Sequence, residues 1–586
     1  MTHPLRRILF VGSIVAWFPL VPSAASAQAA LTGGEVLVFT VDDVTLEALL
    51  STPGFDGLAQ AGGAALLSVS QPGDATAALH EAAGQQIGPF NPIIDVDLGS
   101  MAAAGGRTSS ASLCSGAADE VMAALDASEA EGTLVIVASS SPPAANEDAG
   151  DHLGAVVMAE GAPNDLATAM RRGSVAEFHT LTSDSTRRVG VVTGGDLAET
   201  AIGYAGIQGV AHPSDETQIR VVDAPPPIEL HARYLQYKRL TVPIGAVAAL
   251  FVTLGGLLAV WALAWDRSPR RLRSGCAWIA ISSPFLALSL LLVGHLASLT
   301  YASVIPFVIV VTALPTLALV PLARRRGTLA AVALAGVVLL ATLVGEAGTG
   351  WTAALTPLLG GSQLDGGRFF GLPNAYIGLL LGGSIYVAQR LPRTAGAMLI
   401  AATGLFAGSP WTGSNIGAAV TLFAAAGIWW GVRRRAGWLR TTSAVLAAAV
   451  SGTTLVVVAH RFLTSAPTHV TRFPEHTGGV TALWEKLVDR LQVGTDLIAA
   501  NPFALVPVIG VLVTLMTVLR PPMSVRITFE EAPAWRDALL AILLGSVAAY
   551  VANDSGAAAI GQGFTTSLGA LLFVSLLRRN DIMEEA

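Results

Sequence analysis

Charge is scarce in this chain of 586 residues, and it is unevenly distributed. Charged residues account for 13% of the chain and hydrophobic residues for 52%, whereas an ordinary soluble domain is about 25% charged. Residues 28–239 hold 27 acidic against 9 basic residues, and residues 240–586 hold 14 acidic against 23 basic residues. The acidic N-terminal part argues against nucleic acid or anionic lipid as its partner.

Cysteine and recognisable short motifs are also lacking. Cys114 and Cys276 are the two cysteines, and we do not expect them to pair, because the first lies in a water-facing region and the second in an apolar segment. The chain has no Walker loop, zinc-ligand spacing, dinucleotide-binding fingerprint or lipidation cysteine. The sequence therefore favours none of the function classes that these motifs mark.

Apolar stretches that could cross a bilayer are missing from residues 28–239 and dominate the rest of the chain. About eleven of them begin near residues 242, 276, 303, 328, 372, 394, 416, 441, 502, 537 and 555. We predict an all-α transmembrane bundle of about 11 helices over residues 240–579. Glycine and proline at residues 408–413 interrupt the sixth and seventh stretches, so a re-entrant pair is an alternative there.

Two features predict how the chain is oriented. Arginine groups recur on every second loop, at residues 267–273, 324–326, 390–393, 433–440, 520–536 and 578–579, and the positive-inside rule places these loops in the cytoplasm. Arg6 and Arg7 precede an apolar run that ends in Ala25, Ser26 and Ala27, which is typical of a cleavable signal peptide. An uncleaved anchor helix would leave the following head on the same side.

These patterns predict a multi-pass protein of the cell (plasma) membrane. Its parts are a signal peptide (1–27), an extracytoplasmic head (28–222), a proline-containing linker (223–239), the transmembrane domain (240–579) and a cytoplasmic tail (580–586). We expect the head outside and the C-terminus inside.

Polar residues recur in the loops that we place outside the membrane. The candidates are Asp365, Arg368, Asn374, Asn415, His460 and Asp554. Because polar groups at membrane depth are costly unless paired or solvated, they are candidates for one outward-facing polar cavity. The alternative is that each caps a helix or solvates a loop independently.

The head shows strands that alternate with helical patterns. Apolar runs occur at the segment EVLVFT after Gly34 and at residues 64–69, 133–138, 154–158 and 189–192. This alternation predicts an α/β head with a mainly parallel sheet. Asp42 follows the first strand, at the edge where such sheets bind ligands.

Three segments of the head resemble the alkaline phosphatase superfamily, which includes sulfatases and phosphoglycerate mutases. They are VFTVDDVTLEALLSTPGFDGLAQAGG, HLGAVVMAEGA and LTSDSTRRVGVVTGGDLAETAIGYAGI, and the resemblance that they carry extends over most of residues 34–208. In the last segment Asp196 and Thr200 match a family pattern in which a strand aspartate precedes a threonine-capped helix.

The resemblance implies a Ser or Thr nucleophile between two divalent metals. Asp42 matches the first metal aspartate, and Thr76 lies roughly where the nucleophile would be. The remaining metal ligands have no match, since SSSPPAAN stands where the family has an Asp-His motif. We therefore predict a pseudoenzyme head, and a divalent metal (Zn, Mn, Mg or Ca) only if the head is active.

The membrane segments GGRFFGLPNAYIGLLLG, SPWTGSNIGAA and VANDSGAAA resemble a bacterial family in which an alkaline-phosphatase-like head is fused to a polytopic domain. The resemblance marks Arg368, Phe369, Asn374, Asn415, Asn553 and Asp554. Ala375 stands where that family commonly has an acidic residue, which puts a proton or metal role for this loop in doubt.

Four functions remain open from the sequence. The first is an envelope protein whose membrane domain binds or processes a lipid-linked or phosphorylated intermediate. In it Arg368 would pair with phosphate, Asp365 or Asp554 would act as acid, base or metal ligand, and His460 would be a second titrating group. The second is a transporter, because the interrupted apolar stretches near Gly408 are typical of the discontinuous helices of transporters. The third is an active metal-dependent phosphatase or sulfatase, and the fourth is an envelope scaffold whose protein partners the sequence does not identify.

Overall fold

The structure is a computed structural model. The residues that it describes are 35–41, 44–68, 93–97, 110–128, 130, 132–139, 153–172, 179–183, 185–205, 219–224, 227–265, 267–365, 369–463, 488, 492, 505–553 and 556–585. The predicted signal peptide and the candidates Asp42, Thr76, Arg368 and Asp554 lie outside these ranges.

The head is built on an eight-stranded sheet. Its strands are β1 (Glu35–Thr40), β2 (Gly63–Ser68), β3 (Ile93–Asp97), β4 (Thr133–Ser139), β5 (Leu153–Gly161), β6 (Thr180–Thr182), β7 (Val191–Thr193) and β8 (Arg220–Val222). The strands run in the order β3-β1-β4-β5-β2-β6-β8, and β7 also pairs with β2. A strand overlaps each of the five predicted runs.

The direction of the strands differs from the prediction. β1 is parallel to β3 and β4, and β2 is parallel to β6 and β7. β5, however, runs antiparallel to both of its neighbours, β4 and β2. The sheet is therefore mixed rather than mainly parallel. The prediction was wrong on this point because an apolar strand pattern carries no information about strand direction.

Both faces of this sheet are covered, which explains its apolar strands. Leu37 and Phe39 of β1 point into one apolar cluster, and Val36 and Val38 point into another. The helices of the head are α1 (Leu46–Leu50), α2 (Phe55–Ala61), α3 (Ser110–Ala127), α4 (Pro163–Arg172) and α5 (Gly194–Ala205). Side chains of α1–α4 join the first cluster and those of α5 join the second. Because both faces of the sheet are buried, successive residues of a strand are apolar, and the strands are near-continuous hydrophobic runs.

The rest of the described chain is helical. The helices are α6 (Ile228–Ala264), α7 (Arg270–Leu292), α8 (Tyr301–Arg326), α9 (Thr328–Gly348), α10 (Ile377–Ala388), α11 (Arg393–Gly408), α12 (Ile416–Arg433), α13 (Trp438–Leu463), α14 (Leu505–Leu519), α15 (Met523–Glu531), α16 (Pro533–Ala552) and α17 (Gly556–Glu585). A described helix overlaps each of the eleven predicted stretches.

Seven of the described helices are long and apolar enough to cross a membrane: α6, α7, α8, α9, α12, α13 and α16. α10 and α11 have 12 and 16 residues, about 18 and 24 Å, which is less than the roughly 30 Å of a hydrocarbon core. Eleven spans therefore stay a prediction. α11 and α12 are two separate helices joined by a turn at residues 409–415.

The burial of these helices agrees with contact to a lipid bilayer. In their most apolar segments, only 17% of α6, 17% of α8 and 11% of α13 is buried, against 83% of α7 and 72% of α12. Large apolar side chains that are exposed on α6, α8 and α13 include Val242, Ile309 and Val450. Such a broad apolar surface is expected of a membrane-facing wall.

The head and the membrane domain share one apolar core. Helix α6 begins at Ile228, inside the predicted linker, and runs without interruption for 37 residues. The cluster that holds Phe39 and Leu49 of the head also holds Tyr234 of α6 and Val293 and Leu358 from beyond the ends of α7 and α9. The head is thus packed against one end of the helical bundle.

Candidate functional site

Residues 349–365 and 369–376, the described part of the segment between α9 and α10, lie at the end of the bundle that faces the head. We call these residues the platform loop. It contains short 3₁₀ turns at Thr352–Leu355, Gln363–Asp365 and Asn374–Tyr376. The fully buried Trp351 near its start has a positive φ of 64°, which is uncommon outside glycine, and its indole Nε1 donates to the carbonyl of Thr412. The loop is therefore tied to the turn that joins α11 and α12.

Asp365 of the platform loop is paired with the first helix of the membrane domain. Its Oδ1 accepts a hydrogen bond from the Tyr234 hydroxyl at 2.5 Å and lies 2.9 Å from the Lys238 Nζ. Its Oδ2 accepts from the Ser362 backbone N–H at 3.2 Å. The Lys238 ammonium also lies 5.1 Å from the centre of the Tyr234 ring. These contacts hold an ion pair that is still partly exposed, with 18% of the Lys238 and 27% of the Asp365 side chain accessible.

Arg188, in the loop between β6 and β7, extends from the head to the platform loop. Its guanidinium donates to the Gln363 Oε1 at 2.6 Å, to the carbonyl of Phe369 at 2.8 Å and to that of Trp351 at 3.3 Å. Gln363 in turn donates through Nε2 to the carbonyl of Gly371 at 2.8 Å. One head side chain therefore organises three positions of the platform loop.

Burial lowers the pKa of Arg188 to about 10, and the charge of Glu346 partly offsets this shift. Arg188 is thus a cation at neutral pH. Glu346 is buried at the end of α9, where its Oε2 lies 2.6 Å from the His295 Nε2 and its Oε1 accepts from the Ala353 N–H at 2.7 Å. The platform loop is therefore contacted by two charged side chains, Arg188 of the head and Glu346 of α9.

Arg187 makes a second connection, to the turn at residues 409–415. It has a φ of 52°, and its guanidinium donates to the carbonyl of Pro410 at 2.6 Å. Its guanidinium carbon also lies 5.1 Å from the centre of the Phe370 ring. The two adjacent arginines therefore contact two different parts of the membrane domain.

Asn374 and Asn415, which the sequence analysis placed in one cavity, are in direct contact. The Asn415 Nδ2 donates to the Asn374 Oδ1 at 2.9 Å and to the carbonyl of Leu372 at 2.8 Å. The Asn415 Oδ1 accepts from the Ala418 N–H at 2.9 Å, so that the side chain also caps α12. Asn415 is fully buried, and its hydrogen bonds join the platform loop to this helix.

Asn553 and His460 border the same helix hairpin. The Asn553 Nδ2 donates to the carbonyl of Ala549 at 2.9 Å, and a Cβ on Gly417 would lie 2.1 Å from the Asn553 Oδ1. The His460 Nε2 lies 2.8 Å from the carbonyl oxygen of Gly408. Both side chains are buried, and each contacts backbone atoms at a helix end.

The described candidates thus form two groups. Asn374, Asn415, Asn553 and His460 surround the α11–α12 hairpin, and Asp365 lies with Lys238 and Tyr234 on α6. The arginine pair of the head bridges the groups, because Arg187 contacts the hairpin turn and Arg188 contacts Gln363.

The described residues include no group of three His, Cys, Asp or Glu side chains that could hold a metal ion. Asp42, the metal ligand that the resemblance suggests, lies outside them, as does Thr76.

The matched pair Asp196 and Thr200 has a local role in the head. Asp196 lies in the first turn of α5 rather than in a strand. It accepts from the Ser183 hydroxyl and the Thr193 N–H, each at 2.8 Å, while the Thr193 hydroxyl accepts from the Asp196 N–H at 3.2 Å. The Thr200 hydroxyl donates to the Asp196 carbonyl at 2.7 Å. This is a capping arrangement that ties β7 to α5.

Arg187, Arg188, Tyr234 and Lys238 were missed by the sequence analysis. The feature of the sequence that could have indicated Arg187 and Arg188 is a pair of adjacent arginines in an otherwise acidic head. Arg171 and Arg172, however, are also adjacent arginines of the head, and both are exposed at the end of α4. The sequence pattern alone therefore does not distinguish arginines that contact the membrane domain from arginines that face solvent.

Replacing Asp365 with alanine is expected to lower the free energy of unfolding by about 2 kcal/mol, because the Tyr234 hydroxyl and the Lys238 ammonium would lose their shared acceptor. Thermal unfolding of the full chain in detergent measures this. The matched control is Asp126→Ala, which removes an exposed ion pair with Arg171 and should change stability by less than about 0.5 kcal/mol. Equal effects of the two substitutions would contradict a structural role for the Asp365 cluster.

A scan against protein-family models and searches of curated proteins and of solved structures found no match to this chain.

Proposed function

We propose that this chain is an integral membrane protein of the cell envelope that binds a lipid-linked or phosphorylated intermediate where the head meets the platform loop. The head is proposed to be a degenerate, non-catalytic relative of the alkaline phosphatases that completes this site. It lies outside the cytoplasm in this proposal, as the arginine-rich loops and the N-terminal segment indicate.

A concentration of cations at the junction carries the proposal. Arg187 and Arg188 come from the head, and Arg233 and Lys238 come from α6. Arg233 donates to the carbonyl of Gly294 and to the Thr356 hydroxyl, and its Nε is buried with no hydrogen-bond partner among the described residues. The carboxylates near these groups are Glu229, Glu346 and Asp365.

Among the described residues, these four cations outnumber the three carboxylates at the junction, although the head as a whole is acidic. A phosphate group suits such a place, since arginine and lysine form charge-assisted hydrogen bonds with phosphate oxygens. The neighbouring lipid-facing surface of α6 suits a hydrophobic tail. Lys238 is the cation that we assign to direct contact, because its ion pair is partly exposed.

Binding of a polyisoprenyl phosphate by the full chain in detergent tests the proposal, with the corresponding polyisoprenol as the ligand without phosphate. The double variant Lys238→Gln with Asp365→Asn removes both charges but keeps groups that can form hydrogen bonds. We expect its affinity for the phosphate to fall about tenfold, a change of about 1.4 kcal/mol.

Arg239→Gln is the matched control, because Arg239 is the next residue on α6 and is exposed. This variant should bind as the unaltered chain does. Equal affinity of the unaltered chain for the phosphate and the alcohol, or an equal loss in both variants, would contradict the proposed site.

A scaffold that holds other envelope proteins is the second candidate. Asn415 and Asn553 donate hydrogen bonds to the protein's own backbone, which favours an architectural role for this part of the candidate set. The scaffold predicts co-purifying envelope proteins and no preference for the phosphate over the alcohol in the same binding experiment.

A further inference from the structure

A second feature lies at the opposite end of the bundle. Helix α8 has 26 residues, about 39 Å. It begins with residues that join the core shared with the head and ends at Arg326. There, a groove of about 610 Å³ lies between the end of α8, the first turns of α9 and the segment between α10 and α11. The groove is more open than enclosed.

Three arginines are among the residues that line this groove: Arg325, Arg326 and Arg390. All three are exposed, and their guanidinium groups have no hydrogen bond or ion pair with the part of the chain that the structure describes. The groove has no acidic residue in its lining. Helix α9 also begins beside these arginines, at Thr328, and the positive end of its dipole adds to the potential.

The remaining lining is apolar, with Ala318, Pro321, Leu322, Ala330 and Ala333. The lining of the groove thus combines cationic and hydrocarbon side chains. It also adjoins α8, most of whose apolar surface faces outward. A ligand that complements all three features has an anionic head and an apolar tail, and it reaches the groove from the bilayer.

We propose that this groove is a binding site for an anionic phospholipid. The phosphate lies between Arg325, Arg326 and Arg390, and an acyl chain lies along the alanine and leucine wall. Basic pockets between membrane helices recognise lipid head groups in this way. This site is independent of the proposed function, which concerns the other end of the bundle.

Native mass spectrometry of the full chain tests the proposal, with phosphatidylglycerol and phosphatidylcholine of identical acyl chains as probes. The unaltered chain should bind phosphatidylglycerol more tightly. In the triple variant Arg325→Gln, Arg326→Gln and Arg390→Gln, affinity for phosphatidylglycerol should fall about fivefold for each arginine that contacts the phosphate. The three positions are exposed, so the variant should fold.

A matched triple variant separates a built site from general surface charge. Arg271→Gln, Arg324→Gln and Arg440→Gln remove the same charge from exposed positions outside the groove and should change affinity less than twofold. Ala333→Trp fills the groove without altering charge and should also weaken binding. Equal losses in the two triple variants would overturn the proposal. Competition by millimolar glycerol 3-phosphate as effective as that by the lipid would also overturn it, because the site would then take a soluble phosphate.

Discussion

Replacing Arg188 with alanine is expected to loosen the head from the membrane domain and to lower the free energy of unfolding by about 3 kcal/mol. The substitution would leave the Gln363 side chain and the carbonyls of Trp351 and Phe369 without their donor. Hydrogen bonds to a charged group contribute more than neutral ones, and acceptors stranded in a part-buried interface remain desolvated. The effect should extend to the whole platform loop, because Gln363 also holds Gly371.

Thermal unfolding and hydrogen exchange of the full chain measure this effect. We expect faster exchange in residues 351–371 and a lower unfolding temperature. Arg172→Ala is the matched control, because Arg172 is an exposed arginine of the same head. Arg188→Lys should fall between the two, since lysine keeps the charge but cannot reach three acceptors with a planar fork. If Arg188→Ala behaves like Arg172→Ala, the arginine does not hold the domains together.

Replacing Gly371 with alanine is expected to be the most damaging single-methyl change in the platform loop. Gly371 has a φ of +96°, and a Cβ at this position would lie 2.0 Å from the carbonyl oxygen of Gly413. The two backbones are held together by a 2.7 Å hydrogen bond from the Leu372 N–H to that same oxygen. Because the methyl would meet backbone rather than a flexible side chain, the contact could be relieved only by separating the platform loop from the α11–α12 turn.

We expect a loss of about 3 kcal/mol or more for Gly371→Ala, together with a smaller yield of monodisperse protein in size-exclusion chromatography. Gly345→Ala adds the same methyl on α9, where a Cβ would have no atom within 4 Å. That control should be neutral or stabilising, since alanine favours a helix over glycine by about 1 kcal/mol. A similar yield and stability for both variants would contradict the close approach of the two loops.

These two variants also bear on the proposed function. Arg188 and Gly371 lie on either side of Gln363, and Asp365 is two residues further along the chain. If the head completes the phosphate site, loosening it through Arg188→Ala should weaken polyisoprenyl phosphate binding even though Lys238 and Asp365 are unchanged. Unchanged binding in a variant with a detached head would place the site in the membrane domain alone.

Elements with a strong local pattern could be predicted from the sequence. Strand β4, residues 133–139, is a continuous apolar run between polar segments, and it forms as predicted because burial on both faces requires such a run. Helices α6 to α9 lie where long apolar stretches occur in the sequence. A helix that crosses a bilayer must be long and apolar, and both properties can be read directly from the sequence. For Asn374 and Asn415 the sequence predicted only that both could line one polar cavity, and it did not predict their direct hydrogen bond.

What the sequence by itself determined was the kind of each element: apolar strands in an acidic head, and apolar helices long enough to cross a bilayer. Tertiary structure decided the direction of β5, the continuation of α6 through the linker and the bridge made by Arg187 and Arg188. The physical reason is that apolar periodicity is a local property of the chain. The partners of Arg188 lie more than 160 residues away in sequence, so that only the packing of the head on the bundle brings them within hydrogen-bond distance.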